Sequence, residues 1–304
     1  MAKLLEKPRI WLRACRALSF TASLVPVSVG AALCIYYRDK ANWLLFPLVI
    51  ICSVLLHAGA NLINDYFDFK TGSDDNTSFG SSHVLTEGIL KPRQVLFAAW
   101  VSFGLSLLVG LILVAVRGLP MLLLGSIGLI GAYCYTGRPV ALKYIGAGDI
   151  LVFLLMGPLM VIGSYFALTG IFDAKVLYVS LPIGFLVTAI LNSNNIRDIV
   201  RDRQKNIKTF ACILGEKNSK VEYLLLIGTS YLSIIIMVLK EILPPVSLLV
   251  FLSLPCGIKN IKKVLNSQKD KPQILSLIDV ETAGLEFLFA ALLIASLIIA
   301  RLTS

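Results

Sequence analysis

The chain has 304 residues, of which 57% are hydrophobic and 15% charged, against about 45–50% and about 25% in soluble proteins. A mean hydropathy of +0.83 excludes an ordinary soluble domain, and at about 20 residues per span a chain of this length holds about nine membrane spans. A net charge of +10 suggests nucleic acid in a soluble chain, but in a membrane chain it follows from basic loops on one side, so no nucleic-acid partner is expected.

In chain order, Lys3, Lys7, Arg9, Arg13 and Arg16 precede an apolar stretch over 18–37. That stretch is long enough to span and has no small-x-small cleavage site behind it, so it predicts an uncleaved first helix rather than a secretory signal. Further apolar runs predict helices over 43–63, 95–116, 119–136, 149–168, 176–196, 221–239, 242–258 and 283–300. The expected fold is all-α: a polytopic bundle of about nine transmembrane helices, two four-helix halves plus one, with cap loops on one face. Residues 1–304 are expected to form a single integral membrane domain in the lipid bilayer.

With the N-terminus in the cytoplasm, 22 of the 28 Lys and Arg fall inside, leaving Arg38, Lys40, Arg117, Lys175, Lys240 and Arg301 outside. This asymmetry sets the orientation. It predicts a bacterial inner-membrane protein whose long polar loops, and therefore its working surface, are cytoplasmic. The six cysteines form no CxxC pair and the chain has only two histidines, which points to neither a zinc site nor a disulfide framework.

A short repeat joins the two halves. Asn61-Leu62-Ile63-Asn64-Asp65 and Asn194-Asn195-Ile196-Arg197-Asp198 share an N-x-x-x-D core, each at the inner end of an even-numbered predicted helix. If those helices continue, Asn61, Asp65 and Asp68 line one face, and so do Asn194, Asp198 and Asp202. Either cluster alone reads as a solvated helix end. As a matched pair, two facing carboxylate strips need a cation between them. Oxygen-only ligands favour Mg²⁺, which accepts one or two carboxylates and completes its shell with water and phosphate oxygens. The pair therefore reads as a clamp for a diphosphate held through Mg²⁺, with Arg197, Arg201, Arg203, Lys205 and Lys208 available to the phosphates.

These same residues carry a family resemblance. N-D-Y-F-D-F-K-T-G-S-D at 64–74 and N-N-I-R-D-I-V-R-D-R at 194–203 resemble the two aspartate-rich motifs of the UbiA superfamily of intramembrane prenyltransferases. The resemblance extends to V-L-T-E-G at 84–88, Y-T-G-R-P at 135–139, L-K-Y-I-G-A-G-D at 142–149 and G-P-L-M-V-I-G-S-Y at 157–165. It is strongest to the branch that prenylates 1,4-dihydroxy-2-naphthoate. The chain departs from that branch at Arg138, where a second glycine is common, and at Asn206, where a glycine precedes the K-x-T-L-A stretch. The first departure bears on the acceptor pocket; the metal ligands are unaffected.

The resemblance implies Mg²⁺-dependent transfer from a polyprenyl diphosphate to an aromatic acceptor. Asp65, Asp68, Asp198 and Asp202 are then the Mg²⁺–diphosphate ligands, assisted by Asn61 and Asn64 on one side and Asn194 or Asn195 on the other. Arg197 and Lys208 are phosphate candidates, and Lys143, Tyr135 and Arg138 lie at the mouth of the 137–148 loop, toward phosphate or acceptor. His57, one turn before Asn61, either faces the acceptor or is satisfied by a hydrogen bond to a neighbouring helix. Asp149 serves either as a helix cap or as a site residue. A transporter is the alternative from another class, but it calls for ionisable groups near the bilayer midplane, whereas the acids here gather at helix ends on one side. Other aromatic or lipid acceptors share the same diphosphate clamp.

Overall fold

The computed structural model describes residues 2–37, 40–76, 78–268 and 271–303, with backbone alone for 2–6. Arg38, assigned above to the outer side, lies outside the described residues, as does the side chain of Lys3. Every regular element among the described residues is helical.

Helix α1 (Ala2–Ala14) precedes a 3₁₀ turn at Ala17–Phe20 and α2 (Thr21–Tyr37). Then come α3 (Phe46–Lys70), α4 (Pro92–Arg117) and α5 (Leu119–Cys134). The second half holds α6 (Gly148–Leu154), a π turn at Leu155–Leu159, α7 (Met160–Thr169), α8 (Ala174–Gln204), α9 (Phe210–Leu214) and α10 (Glu216–Leu239). A 3₁₀ run at Pro245–Ser253 leads into α11 (Leu254–Leu265), and α12 (Ile278–Thr303) ends the chain. Among the described residues seven helical segments are long and apolar enough to cross a membrane, and α5 is a shorter apolar helix.

The starts and stops have local causes. Prolines in the first turn open α3, α4 and α5, where the missing N–H costs nothing. At the start of α4 the Gln94 side chain accepts from the Lys91 amide at 2.8 Å, satisfying one free donor of the first turn. Gly118, at φ 73°, turns α4 directly into α5, a backbone that glycine adopts freely. Asp173 caps α8 by accepting from the Lys175 amide at 2.9 Å.

Two expected spans differ in form. The one over 149–168 is broken by the π turn, which contains Pro158; proline withholds one helical hydrogen bond and its ring crowds the preceding turn. The one over 242–258 is not a straight α-helix: after Pro244 and Pro245 the chain takes 3₁₀ turns before α11 begins. By contrast, α3 and α8 run past their expected ends at 63 and 196 to Lys70 and Gln204. These extensions carry the acidic motifs.

The centre of the bundle is α2, which is buried along most of its length and packs on α7 and α12; α12 also reaches α8. The approach is close because Gly30 lacks a Cβ: one placed there would stand 2.5 Å from the Val161 carbonyl oxygen. Helix α4 packs on α3 and turns Phe97, Trp100, Leu108 and Ile112 outward, an apolar face suited to lipid. Buried serines and threonines sit within the bundle, donating to carbonyls one turn back, as Thr188 to Gly184 and Ser230 to Leu226, or across helices, as Ser164 to Val27.

Candidate active site

Asp65 and Asp68 occupy the last two turns of α3, and both are buried to 3% exposure. A buried carboxylate must be paired, and each is. The Arg16 guanidinium and the Ser82 hydroxyl donate to the two oxygens of Asp65. Lys143 Nζ donates to Asp68 Oδ2 at 2.7 Å and to Asn64 Oδ1 at 3.2 Å, while the Tyr144 hydroxyl donates to Asp68 Oδ1 at 2.5 Å. Arg16 reaches Asp65 from the turn between α1 and α2, where its own backbone is left-handed at φ 51°. Asn61 secures that turn, donating to the Cys15 carbonyl at 2.9 Å and to Ser19 Oγ at 3.0 Å.

Burial alone would lower the Lys143 ammonium, but the Asp68 carboxylate outweighs it and holds the group above the ordinary lysine range. Arg16 is likewise held up against burial, by Asp65, Asp74 and Asp68. Burial pushes the Tyr135 phenol up to about 12, with Lys143 pulling the other way. Both cations therefore stay charged at neutral pH, and Tyr135 stays protonated.

The second motif lies on α8. Asp198 accepts from Arg197 at 3.0 Å and stands 3.5 Å from Arg201. Arg197 is buried, 3.5 Å from Asp279 of α12, and its guanidinium covers the Phe79 ring at 5.2 Å. Asp202 is buried, within electrostatic reach of Asp198, Lys143, Arg201 and Asp68. Asn195 donates to both oxygens of Asp149 at 3.2 and 3.4 Å, and Asn194 Oδ1 is buried with no hydrogen-bond partner among the described residues.

The two motifs meet. Lys205, just past α8, donates to Asp75 Oδ2 at 2.5 Å and to the Ser73 carbonyl at 2.9 Å. Gly80 lies beside Arg197, where a Cβ would come within 3.2 Å of Nη2. The 71–88 loop thus closes against α8, and basic side chains stand on the carboxylates of both strips.

Other expected residues take different places. His57 lies against α2 and the turn before it: its Nδ1 is 2.6 Å from Ser23 Oγ, and its Nε2 is 3.4 Å from Ser19 Oγ. Asp149 is in the first turn of α6, but the capping position belongs to Ala147. Arg138 is exposed, with its carbonyl accepting from the Tyr133 hydroxyl at 2.9 Å, and Lys208 is exposed before α9. Arg16, Ser82, Tyr144 and Asp279 are site residues that sequence reasoning did not single out. Tyr144 had a signal, since it adjoins Lys143 within the L-K-Y-I-G-A-G-D stretch.

Among the described residues no three His, Cys, Asp or Glu side chains converge as a ready metal centre. Mg²⁺ does not require one, because it takes one or two carboxylates and fills its shell with water and phosphate. The donor set, all oxygen and split between two helices, fits such an ion. Ammonium and guanidinium groups stand against the same oxygens.

Comparison with known proteins identifies the family and the fold. The model of the UbiA prenyltransferase family matches residues 23–278. The 1,4-dihydroxy-2-naphthoate octaprenyltransferase of Bacillus subtilis (strain 168) is 31% identical over 281 residues, covering 92% of this chain and 89% of that protein. UbiA prenyltransferase domain-containing protein 1 of Danio rerio is 34% identical over 230 residues, covering 75% of this chain and 68% of its own length. The fold is shared with a solved digeranylgeranylglyceryl phosphate synthase (TM-score 0.65, 17% identity, 97% of this chain and 99% of that one). It is also shared with a UbiA homologue from Archaeoglobus fulgidus bound to GPP and Mg²⁺ (TM-score 0.58, 15% identity, 93% and 99%). By motif, by bundle and by kinship alike, this chain belongs to the UbiA prenyltransferase family of integral membrane enzymes.

Proposed function

We propose that the enzyme transfers a polyprenyl group from an allylic polyprenyl diphosphate to 1,4-dihydroxy-2-naphthoate, with loss of CO₂, giving demethylmenaquinone. The observation that carries this reading is the meeting of two separate Asp motifs at one end of the bundle, each furnished with cations. Kinship to the Bacillus subtilis naphthoate enzyme supports the choice of acceptor. The charge asymmetry of the loops favours a cytoplasmic site in a bacterial inner membrane.

The chemistry follows from the groups present. As the allylic C–O bond breaks, its electron pair leaves with the diphosphate, so negative charge builds on an already anionic group. Asp65 and Asp68 from α3 and Asp198 and Asp202 from α8 would hold Mg²⁺, which when bound supplies Lewis-acid stabilisation of that leaving group. Lys143, Arg16, Arg197 and Lys205 are placed to shift from carboxylate to phosphate oxygens as the diphosphate arrives. Asn64, bonded to Lys143, orients the ammonium. The electron-rich ring carbon bearing the carboxyl group attacks the allylic cation; departure of CO₂ returns its bonding pair to the ring and restores aromaticity. The apolar bundle keeps water from the cation.

The test is turnover by purified protein in lipid. Polyprenyl diphosphate and dihydroxynaphthoate should give demethylmenaquinone with Mg²⁺ and none after chelation. Conversion of 4-hydroxybenzoate or a lipid acceptor in place of the naphthoate would overturn the acceptor assignment, and full activity with a chelator would overturn the metal assignment.

A further inference from the structure

Polar side chains continue along α8 beyond the motif. Counting back from Asp202 at about 100° per residue, Asn195 stands about 20° and Asn192 about 80° around the helix, on the flank away from Asp198. Asn192 lies six residues before Asp198, about 9 Å deeper into the bundle. Each of these two carboxamides meets a carboxylate from a different helix. Asn195 donates to Asp149 of α6; Asn192 Nδ2 donates to Glu222 Oε2 of α10 at 2.6 Å. Asn192 and Asn195 are three residues apart, so the two pairs lie within one turn of α8 and form one polar cluster between α6, α8 and α10.

This cluster has one unmet requirement. Asn192 is fully buried, and its Oδ1 has no hydrogen-bond partner among the described residues. With Nδ2 committed to Glu222, only a donor can satisfy that oxygen. Glu222 and Asp149, as carboxylates, also accept. A buried polar group without a partner is costly, and an ionisable residue within a spanning helix is retained for function by default. The ligand that completes the cluster therefore brings hydrogen-bond donors and no acidic charge at that end, which is the pattern of ring hydroxyls and the opposite of a phosphate.

We propose that Asn192 and Glu222, together with Asp149, form the subsite that recognises the hydroxyl groups of the aromatic acceptor. The inference rests on the aromatic prenyl-transfer reading above and deepens it. The motif carboxylates hold the donor diphosphate, and the cluster one to two turns further in sets which acceptor is taken. Hydrogen bonding of a ring hydroxyl to carboxylate also raises electron density at the ring carbons, which favours attack on the allylic cation. Asn192 and Glu222 are in this sense specificity-determining residues.

The experiment compares 1,4-dihydroxy-2-naphthoate with its 4-methyl ether, which lacks one donor, in the full-length enzyme reconstituted in lipid. The wild type should favour the diol by about a hundredfold in kcat/KM, since a site built for a hydroxyl strongly rejects an analogue without it. Glu222→Gln keeps an oxygen to accept from Asn192, so the fold survives while the charge is lost; this variant and Asn192→Leu should narrow the preference to within a few-fold. The KM for the diphosphate donor and the Mg²⁺ requirement should stay as in the wild type. An unchanged diol-to-ether ratio in both variants, with only a lower melting temperature, would overturn the subsite and leave the prenyl-transfer reading standing. A wild type that turns over no hydroxylated aromatic would overturn both.

Discussion

Lys143 Nζ stands 2.7 Å from Asp68 Oδ2, although 75 residues separate them and Lys143 lies in the loop that joins the two halves of the bundle. The ammonium occupies one side of a carboxylate that the motif reading assigns to a divalent cation, and it is also bonded to Asn64. A cation so placed would compete with metal before the donor binds and cooperate with it once phosphate is present. Lys143→Met should therefore have effects of opposite sign: Mn²⁺ binding without donor, followed by electron paramagnetic resonance, should tighten, while the donor KM rises about tenfold or more. Parallel weakening of both would show that Lys143 only supports the local fold.

The carboxylates themselves are expected to be indispensable. Asp65→Ala and Asp198→Ala should each abolish measurable turnover, because neither strip alone can hold a diphosphate through metal. Asp198 accepts from Arg197, which also stands near Asp279 of α12, so Asp198→Asn is the gentler variant and should retain the fold while losing at least about a hundredfold in kcat. Circular dichroism of each variant separates loss of chemistry from loss of structure. Unchanged activity in both alanine variants would remove these residues from the site.

Much of this site was legible in the sequence because it rests on periodicity. Asp65 and Asp68 share a face only if α3 continues, and their i, i+3 spacing, with Asn61 one turn earlier, says so before any coordinates do. Arg16 was not legible. Its role depends on a left-handed backbone between α1 and α2 and on Asn61 holding that turn, and neither follows from residue type. Ser82 was hidden for the same reason, since a loop residue reaches Asp65 only through tertiary closure. Glu222 reads in sequence as an ordinary acid near a helix start; only the facing position of Asn192 gives it a partner. The expected span over 242–258 failed as a straight α-helix because hydropathy is blind to how Pro244 and Pro245 turn the backbone.

Glu286 offers a stability prediction. It lies on α12 with no exposure, and neither carboxyl oxygen has a hydrogen-bond partner among the described residues. Desolvating a carboxyl without compensation costs about 1–3 kcal/mol. Glu286→Met, similar in length and apolar, should recover a sum of that order, read as a higher midpoint of thermal unfolding in detergent, with activity unchanged. A lower midpoint would mean that this carboxyl meets a cation or ligand in the membrane.

The break in the fifth span provides a mechanical test of how Asp149 is aimed. At Gly157, within the π turn, an added Cβ would stand 2.5 Å from Gly184 Cα and 3.0 Å from its amide nitrogen, so the backbones of this turn and α8 touch directly. Gly163, in α7 of the same span, has open space where its Cβ would go. Gly157→Ala must push the π turn away from α8. The overpacking should cost about 1–3 kcal/mol, and because α6 runs straight into the turn, Asp149 moves with it relative to Asn195. Gly163→Ala meets nothing and gains helix propensity, up to about 1 kcal/mol. Thermal unfolding of the two variants should therefore shift in opposite directions, with acceptor KM rising in the first alone. Equal midpoints would show that the π turn has slack, and that contact with α8 does not fix the position of Asp149.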